Sequence, residues 1–285
     1  MRLRMRIGTR KSALALEQAR QVQTALAAQG VESELVTFTT LGDRRLDATF
    51  TEIGGKGVFT HELEVALAEG RIDCAVHSFK DLPTDAKGVV AVLPRADPRD
   101  VVVGTAIADL PPGARIGTSS LRRRAQVLAL RRDIEVVEWR GNVPTRLRKL
   151  EEGQVAAGIL AAAGLVRLGE TDRITAYLEP PAWLPAPAQG AIAIQASDAP
   201  TVAVLAKLND PDTMRDVSAE RSMLAALEGG CQVPIGGLVS NGVLYGLVAE
   251  VNGSRVRRAS EPVDPADPAA AGVALAARLR SWSTL

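Results

Sequence analysis

The stretch LEPPAWLPAPAQGAIAIQA, residues 178–196, decides how this chain is organised. Pro180, Pro181, Pro185 and Pro187 forbid a continuous helix or a central strand. Directly after Gly190, AIAIQA reads as a buried strand. A second passage rich in proline and charge, PRADPRD at 94–100, is the other strong break. A strand after 190 that returns to the first sheet makes the two breaks paired crossings. Two α/β domains with a cleft between them follow.

The segments around the breaks fit that plan. RLRMRIG reads as a first strand, and SALALEQARQVQTALAAQG keeps Ala15, Ala19, Val22 and Leu26 at helical spacing. Ser12 is its expected N-cap and Gly30 its stop. SELVTF is a second strand, Thr60 is placed to cap HELEVALAEG, and RIDCAVHS is a short apolar strand. Repeated β-α-β predicts a parallel sheet covered by helices. Between the breaks ARIGTSS, LRRRAQVLALRR, DIEVVEW, PTRLRKLEEG, QVAAGIL and AAAGLVRLG alternate again, with Pro144 at a helix N1 position. From 211 a helix, MRDVSAERSMLAALEGG, leads into strand-like GLVSNGVLYGLVAEV. No internal sequence repeat links the sets. The expected domains are 1–96 with 189–208, then 97–188, then 211–285.

The chain has 285 residues, 46% hydrophobic, 24% charged and only 3% aromatic, which suits an aliphatic α/β protein of more than one domain. A net charge of +1 leaves any electrostatic function to local clustering. No apolar run approaches the ~20 residues of a membrane span, and MRLRMRIGTRKS has no uninterrupted apolar region of a signal peptide. The expected compartment is the cytoplasm, where Cys74 and Cys231 stay reduced.

Clustering is pronounced between 115 and 148, which holds Arg115, Arg122, Arg123, Arg124, Arg131, Arg132, Arg140, Arg146 and Arg148 against Asp133, Glu135 and Glu138. Each arginine is either on a solvated helix face or a fork for a carboxylate or phosphate. In IGTSSLRRR, Thr118, Ser119 and Ser120 precede Arg122 and Arg123 at a helix start, an anion site by residue type. GTRKS repeats that logic at Thr9, Arg10, Lys11 and Ser12. The implied ligand is a polyanion; nucleic acid is disfavoured by the few aromatics. AVHSFKDLP places Lys80 and Asp81 at the end of a strand, with Pro83 stiffening the turn. Asp81 is either a solvated turn residue or a carboxylate held in a basic cleft. His61 and His77 form no metal-ligand pattern, and GGKG at 54–57 lacks the following Ser or Thr of a phosphate loop.

LEGGCQVPIGG, residues 227–237, sets Cys231 between paired glycines. No neighbouring cation lowers its thiol from the ordinary ~8.5. That disfavours a turnover nucleophile but leaves a cysteine that reacts once with a strong electrophile.

Taken in order, GTRKSALALEQ, GGKGVFTHELE, AVHSFKDLP, GTSSLRRR, RGNVPTRLRKL and LEGGCQVPIGG resemble the porphobilinogen deaminase, or hydroxymethylbilane synthase, family from about residue 7 to 237. The resemblance implies two mixed-sheet α/β domains, similar to periplasmic-binding-protein halves around a cleft, plus a small α+β C-terminal domain. It implies a monomeric cytoplasmic transferase of tetrapyrrole (haem) biosynthesis, with no metal, nucleic acid or membrane partner. Four porphobilinogen units are joined head to tail with loss of ammonia on a dipyrromethane cofactor, bound as a thioether to Cys231. Asp81, Lys80 and Arg10 become the catalytic group. Ser12, Ser78, Lys80, Asp81, Thr118, Ser119, Arg122, Arg123 and Arg146 become cofactor-binding, and Arg10, Arg140, Arg146, Arg167 and Gln189 substrate-binding. Two departures stand out: His61 replaces the family's more usual lysine, and Phe79 its usual methionine. A two-domain anion receptor and a nucleic-acid-binding protein are the other classes the residues allow. A receptor has no need of Asp81 or Cys231.

Overall fold

A computed structural model describes residues 4–40, 60–227 and 234–280. By contacts the chain divides into two compact units, Met1–Ala96 with Ala191–Met214, and Asp97–Gly190 with Arg215–Leu285.

The first unit is a five-stranded sheet in the order β2-β1-β3-β10-β4. Strands β1 (Met5–Arg10), β2 (Ser33–Phe38) and β3 (Cys74–Ser78) are mutually parallel, as the β-α-β reading requires. Strand β10 (Ile192–Gln195) lies antiparallel between β3 and β4 (Val89–Val92). The apolar run after Gly190 therefore returns to the first sheet. Helix α1 (Ala13–Ala27) packs on one face, where Ala19, Val22 and Leu26 meet Ile7, Cys74, Val76, Ile192 and Ile194. Ser12 caps it, its Oγ accepting from the Ala15 N–H at 3.3 Å. On the other face Leu63 and Ala66 of α2 (His61–Ala68) pack with Ile72 and Ala75. Gly8 makes that possible, because a Cβ there would strike Ile72. At the opposite end from Arg10, buried Asp73 accepts from the Arg6 backbone N–H at 2.7 Å and from its guanidinium at 2.9 Å, tying β1 to β3.

The second unit contains another five-stranded sheet, β7-β6-β8-β5-β9, and a three-stranded one, β11-β12-β13. Strands β6 (Arg115–Gly117), β7 (Glu135–Val137) and β8 (Ala157–Ala161) are parallel, and β5 (Asp100–Gly104) lies antiparallel between β8 and β9 (Ile174–Leu178). Both large sheets thus consist of three parallel strands, one antiparallel strand and an edge. In each, the antiparallel strand is the one just past a proline-rich crossing. The topology repeats although the sequence does not, because layer packing constrains apolar periodicity and strand order rather than residue identity.

Helices α3 (Leu121–Leu130), α4 (Val143–Glu151) and α5 (Ala162–Arg167) follow the strands in this unit. Pro144 is the second residue of α4, one place later than expected, because Asn142 caps it by accepting from the Thr145 N–H at 2.9 Å. In the first unit α6 (Ala199–Leu205) follows β10. Helix α7 (Pro211–Ala226) leads to β11 (Ile235–Ser240), β12 (Val243–Ala249), β13 (Val256–Pro262) and α8 (Pro268–Arg280). The strand-like GLVSNGVLYGLVAEV forms two antiparallel strands, β11 and β12. Asn241 and Gly242, with φ of 51° and 73°, form the tight hairpin turn that Asn-Gly favours. Buried Glu220 of α7 anchors this sheet, accepting from the Val239 N–H at 2.8 Å. Among the described residues no helix is long and apolar enough to cross a membrane.

Candidate functional site

In the first unit, candidate residues collect where β1 and β3 end, the carboxyl edge at which sheets of this type bind ligands. Arg10 closes β1, Ser78 closes β3, and a single 3-10 turn, Phe79–Asp81, carries Lys80 and Asp81. The turn is held rigidly: Phe79 is buried and its N–H donates to the Ala191 carbonyl at 3.0 Å, while the Leu82 N–H closes onto the Phe79 carbonyl at 3.2 Å. Phe79 is therefore a core anchor that leaves Lys80 and Asp81 at the edge.

Arg10, Gln18, Thr60, His77, Ser78 and Asp81 line one pocket there. Gln18, which the sequence reading did not single out, comes from α1 and donates its Nε2 to Ser78 Oγ at 2.8 Å. Its signal was a polar residue on the apolar stripe of α1. Thr60 sits at the cap position of α2, but its hydroxyl makes no capping hydrogen bond and is buried without a partner. The expected cap fails because the residue's φ of −120° and ψ of −26° depart from cap geometry. His77 is buried, only 5% exposed within β3. Burial, reinforced by the Arg10 charge and partly countered by the Gln195 carboxamide, pushes its imidazole down to about 4. Gln195 Oε1 and His77 Nε2 are both buried, and neither makes a hydrogen bond.

A stability effect follows with a definite sign. The native imidazole stays neutral where the unfolded one, near 6.5, takes up a proton. Its contribution is complete above about pH 6.5 and is lost as pH falls toward 4, by roughly 3 kcal/mol. Urea midpoints at pH 7, 6 and 5 should fall in that order, and the fall should shrink in a His77→Gln variant.

In the second unit the serine-rich turn behaves as a preformed helix start. Ser120 caps α3, its Oγ accepting from the Arg123 N–H at 3.4 Å. Thr118 Oγ1 accepts from the Ser120 N–H at 3.2 Å, and Ser119 Oγ accepts from the Trp139 N–H at 3.2 Å. Each hydroxyl is used as an acceptor and keeps its proton to donate. Trp139 is buried across Gly117 and Gly158, where any Cβ would collide with its ring, and the Arg146 guanidinium sits 5.9 Å from the ring centre. Arg140 lies 3.6 Å from Glu138, and Lys149 donates to the Arg140 carbonyl at 3.1 Å. Arg167 donates to the Gly190 carbonyl at 2.8 Å.

Arg122, Arg123 and Gln189 have a different setting. All three converge on Asp100, which is fully buried. Arg122 Nη1 reaches Asp100 Oδ2 at 2.6 Å and the Leu184 carbonyl at 2.8 Å. Arg123 commits all three guanidinium nitrogens, Nε and Nη2 to Asp100 Oδ1 and Nη1 to the Ile159 carbonyl. Gln189 Nε2 and Trp183 Nε1 add bonds of 2.8 Å to the same carboxylate. Burial by itself would raise the Asp100 carboxyl, but the two guanidiniums override it and hold it well below the usual carboxylate range. In the sequence Asp100 and Trp183 stand only within the two proline-rich breaks; their signal, a charge and a large aromatic among prolines, does not reveal a shared partner. Cys231 lies outside the described residues.

Comparison with known proteins separates the open classes. The profile described as "Porphobilinogen deaminase, dipyromethane cofactor binding domain" matches residues 5–203, and that described as "Porphobilinogen deaminase, C-terminal domain" matches residues 214–281. The chain belongs to the porphobilinogen deaminase family. It is 50% identical over 276 residues to a porphobilinogen deaminase of Syntrophobacter fumaroxidans, covering 92% of this chain and 89% of that protein. It is 47% identical over 289 residues to one from Geobacter sulfurreducens, covering 97% and 91%. Among solved structures it is similar to the methionine-binding protein MetQ, with a TM-score of 0.45 and 14% identity over 72% of this chain and 89% of that one. A dipyrromethane, the group that the matched profile names, carries carboxylates and ring N–H groups. In the first unit, Arg10 and Ser78 are of the residue types that suit such carboxylates, and Asp81, in the same pocket lining, is of the type that suits ring N–H groups.

Proposed function

We infer that this chain joins four porphobilinogen units into hydroxymethylbilane, releasing ammonia at each addition, in tetrapyrrole biosynthesis. The observation that favours it is Asp81, held on a rigid turn in one pocket with Arg10 and Ser78. In this reading residues 1–96 with 189–208 and residues 97–188 are two halves of a cleft, and 211–285 supplies the anchoring cysteine. The protein acts as a cytoplasmic monomer.

Dipyrromethane, when bound through Cys231, supplies a primer with a nucleophilic pyrrole carbon. Ser12, Ser78, Lys80, Thr118, Ser119 and Arg146 hold its carboxylates, with Arg122 and Arg123 held behind them by Asp100. Arg10, Arg140, Arg146 and Arg167 bind the carboxylates of incoming substrate, and Gln189 acts through Asp100. Asp81 accepts pyrrole N–H groups, stabilises the cation left when ammonia departs, and takes the ring proton released on coupling. Lys80 and Arg10 keep the carboxylates of the growing chain oriented beside it.

Cys231 is the better anchor of the two cysteines. Cys74 is fully buried in the α1 face of the sheet, and burial pushes its thiol up to about 12, so it is a poor nucleophile at neutral pH. Intact mass after incubation with porphobilinogen should exceed the bare sequence mass by one dipyrromethane. Cys231→Ala should remove the adduct, and denatured wild type should titrate with one thiol rather than two. An unchanged adduct in Cys231→Ala moves the anchor elsewhere; no adduct in wild type removes the covalent cofactor.

A further inference from the structure

The pocket containing Asp81 has a feature that none of these roles uses. Its free space is about 20 Å³, room for one water-sized group and far too little for a pyrrole ring. Two lining side chains bring buried polar atoms without partners: Thr60 Oγ1, in a residue 1% exposed, and His77 Nε2, in a residue 5% exposed. Gln18 and Ser78 satisfy each other, so the unmet demand lies with Thr60 and His77. Such groups are rarely left unpaired in a native interior.

The reading above, on which this inference rests, generates a molecule of that size beside Asp81 at every addition. We propose that this pocket receives the ammonia leaving the aminomethyl carbon, with Thr60 Oγ1 and His77 Nε2 as its hydrogen-bonding partners. The substrate amine enters as an ammonium group. When its C–N bond breaks, the electron pair goes to nitrogen, neutral ammonia departs, and the positive charge remains on the pyrrole-bound carbon facing Asp81. No further proton is required. Ammonia has three N–H donors and one lone pair, so it satisfies the threonine hydroxyl and either neutral tautomer of the histidine. Arg10 and Asp81 both line the pocket and oppose each other in charge, so the ligand is set by the neutral donors and acceptors of Thr60 and His77.

Initial rates of bilane formation by the holoenzyme, with ammonium chloride compared against potassium chloride at equal ionic strength from pH 7 to 9, read this site. Wild type should be inhibited in proportion to free ammonia. Thr60→Val, similar in shape but without the hydroxyl, should raise the inhibition constant about tenfold, and Thr60→Ser should restore it. In wild type, methylamine at the same free-base concentration should inhibit at least about tenfold less, because one more methyl exceeds the space. Equal constants for ammonia in wild type and Thr60→Val would overturn the assignment. Equal constants for ammonia and methylamine would overturn it too, and that comparison needs no variant to fold. A wild type that makes no bilane would instead remove the deaminase reading.

Discussion

Asp81→Asn should keep the covalently attached dipyrromethane while bilane formation falls ~100-fold or more. Asparagine keeps the size of the side chain and a carbonyl oxygen that can accept from pyrrole N–H groups. It loses the negative charge that opposes the developing cation, and it cannot take the ring proton. Binding and turnover are thereby separated. The Phe79–Asp81 turn is fixed by Phe79 burial and by backbone hydrogen bonds that the substitution leaves alone, so the fold should be unchanged. Intact mass and single-turnover rates on the same preparation check both halves. Turnover within a few-fold of wild type would take Asp81 out of the mechanism.

Asp100→Ala should cost about 3–5 kcal/mol of stability, the second large effect. Its carboxylate is the common partner of Arg122, Arg123, Trp183 and Gln189, and both arginine side chains are almost wholly buried. Removing it leaves two guanidiniums in the interior with no opposing charge. Asp100→Asn should be milder, because a carbonyl oxygen still accepts from Trp183 or Gln189. Thermal or urea unfolding of both variants, with attached cofactor confirmed by mass, measures the difference; a loss below about 1 kcal/mol for Asp100→Ala would show that water or rearranged partners satisfy the arginines. The same network makes the sheet acid-sensitive: a carboxyl held below its unfolded value contributes stability above the unfolded value and loses it as pH falls.

The arginine-rich segment shows where sequence reading stops. Nine arginines between 115 and 148 look alike on composition, and the GTSS turn before Arg122 and Arg123 made those two the strongest anion candidates. Folded, Arg123 has no guanidinium nitrogen uncommitted, and Arg122 shares its carboxylate partner. Asp100 lies 22 and 23 residues away in sequence, on the far side of a strand and a turn. No local pattern announces such a pairing.

The elements themselves were local. Ser12 before an apolar stripe, apolar runs of four to six residues and proline at both crossings specify helices, buried strands and breaks through short-range sterics and hydrogen bonding. The pairing of the crossings also followed, since AIAIQA is too apolar to remain outside a sheet, and β10 inserts between β3 and β4. So did the residue types of the site, because a polycarboxylate ligand demands arginines and hydroxyls and a cation demands a carboxylate. Tertiary structure alone decided which polar groups are already satisfied. It turned Thr60 from a helix cap into a buried hydroxyl without a partner, buried His77 in the pocket wall, and gave Asp100 four partners from other segments. Hydrogen-bond demand is a property of every polar residue, but whether it is met depends on neighbours brought together from across the chain.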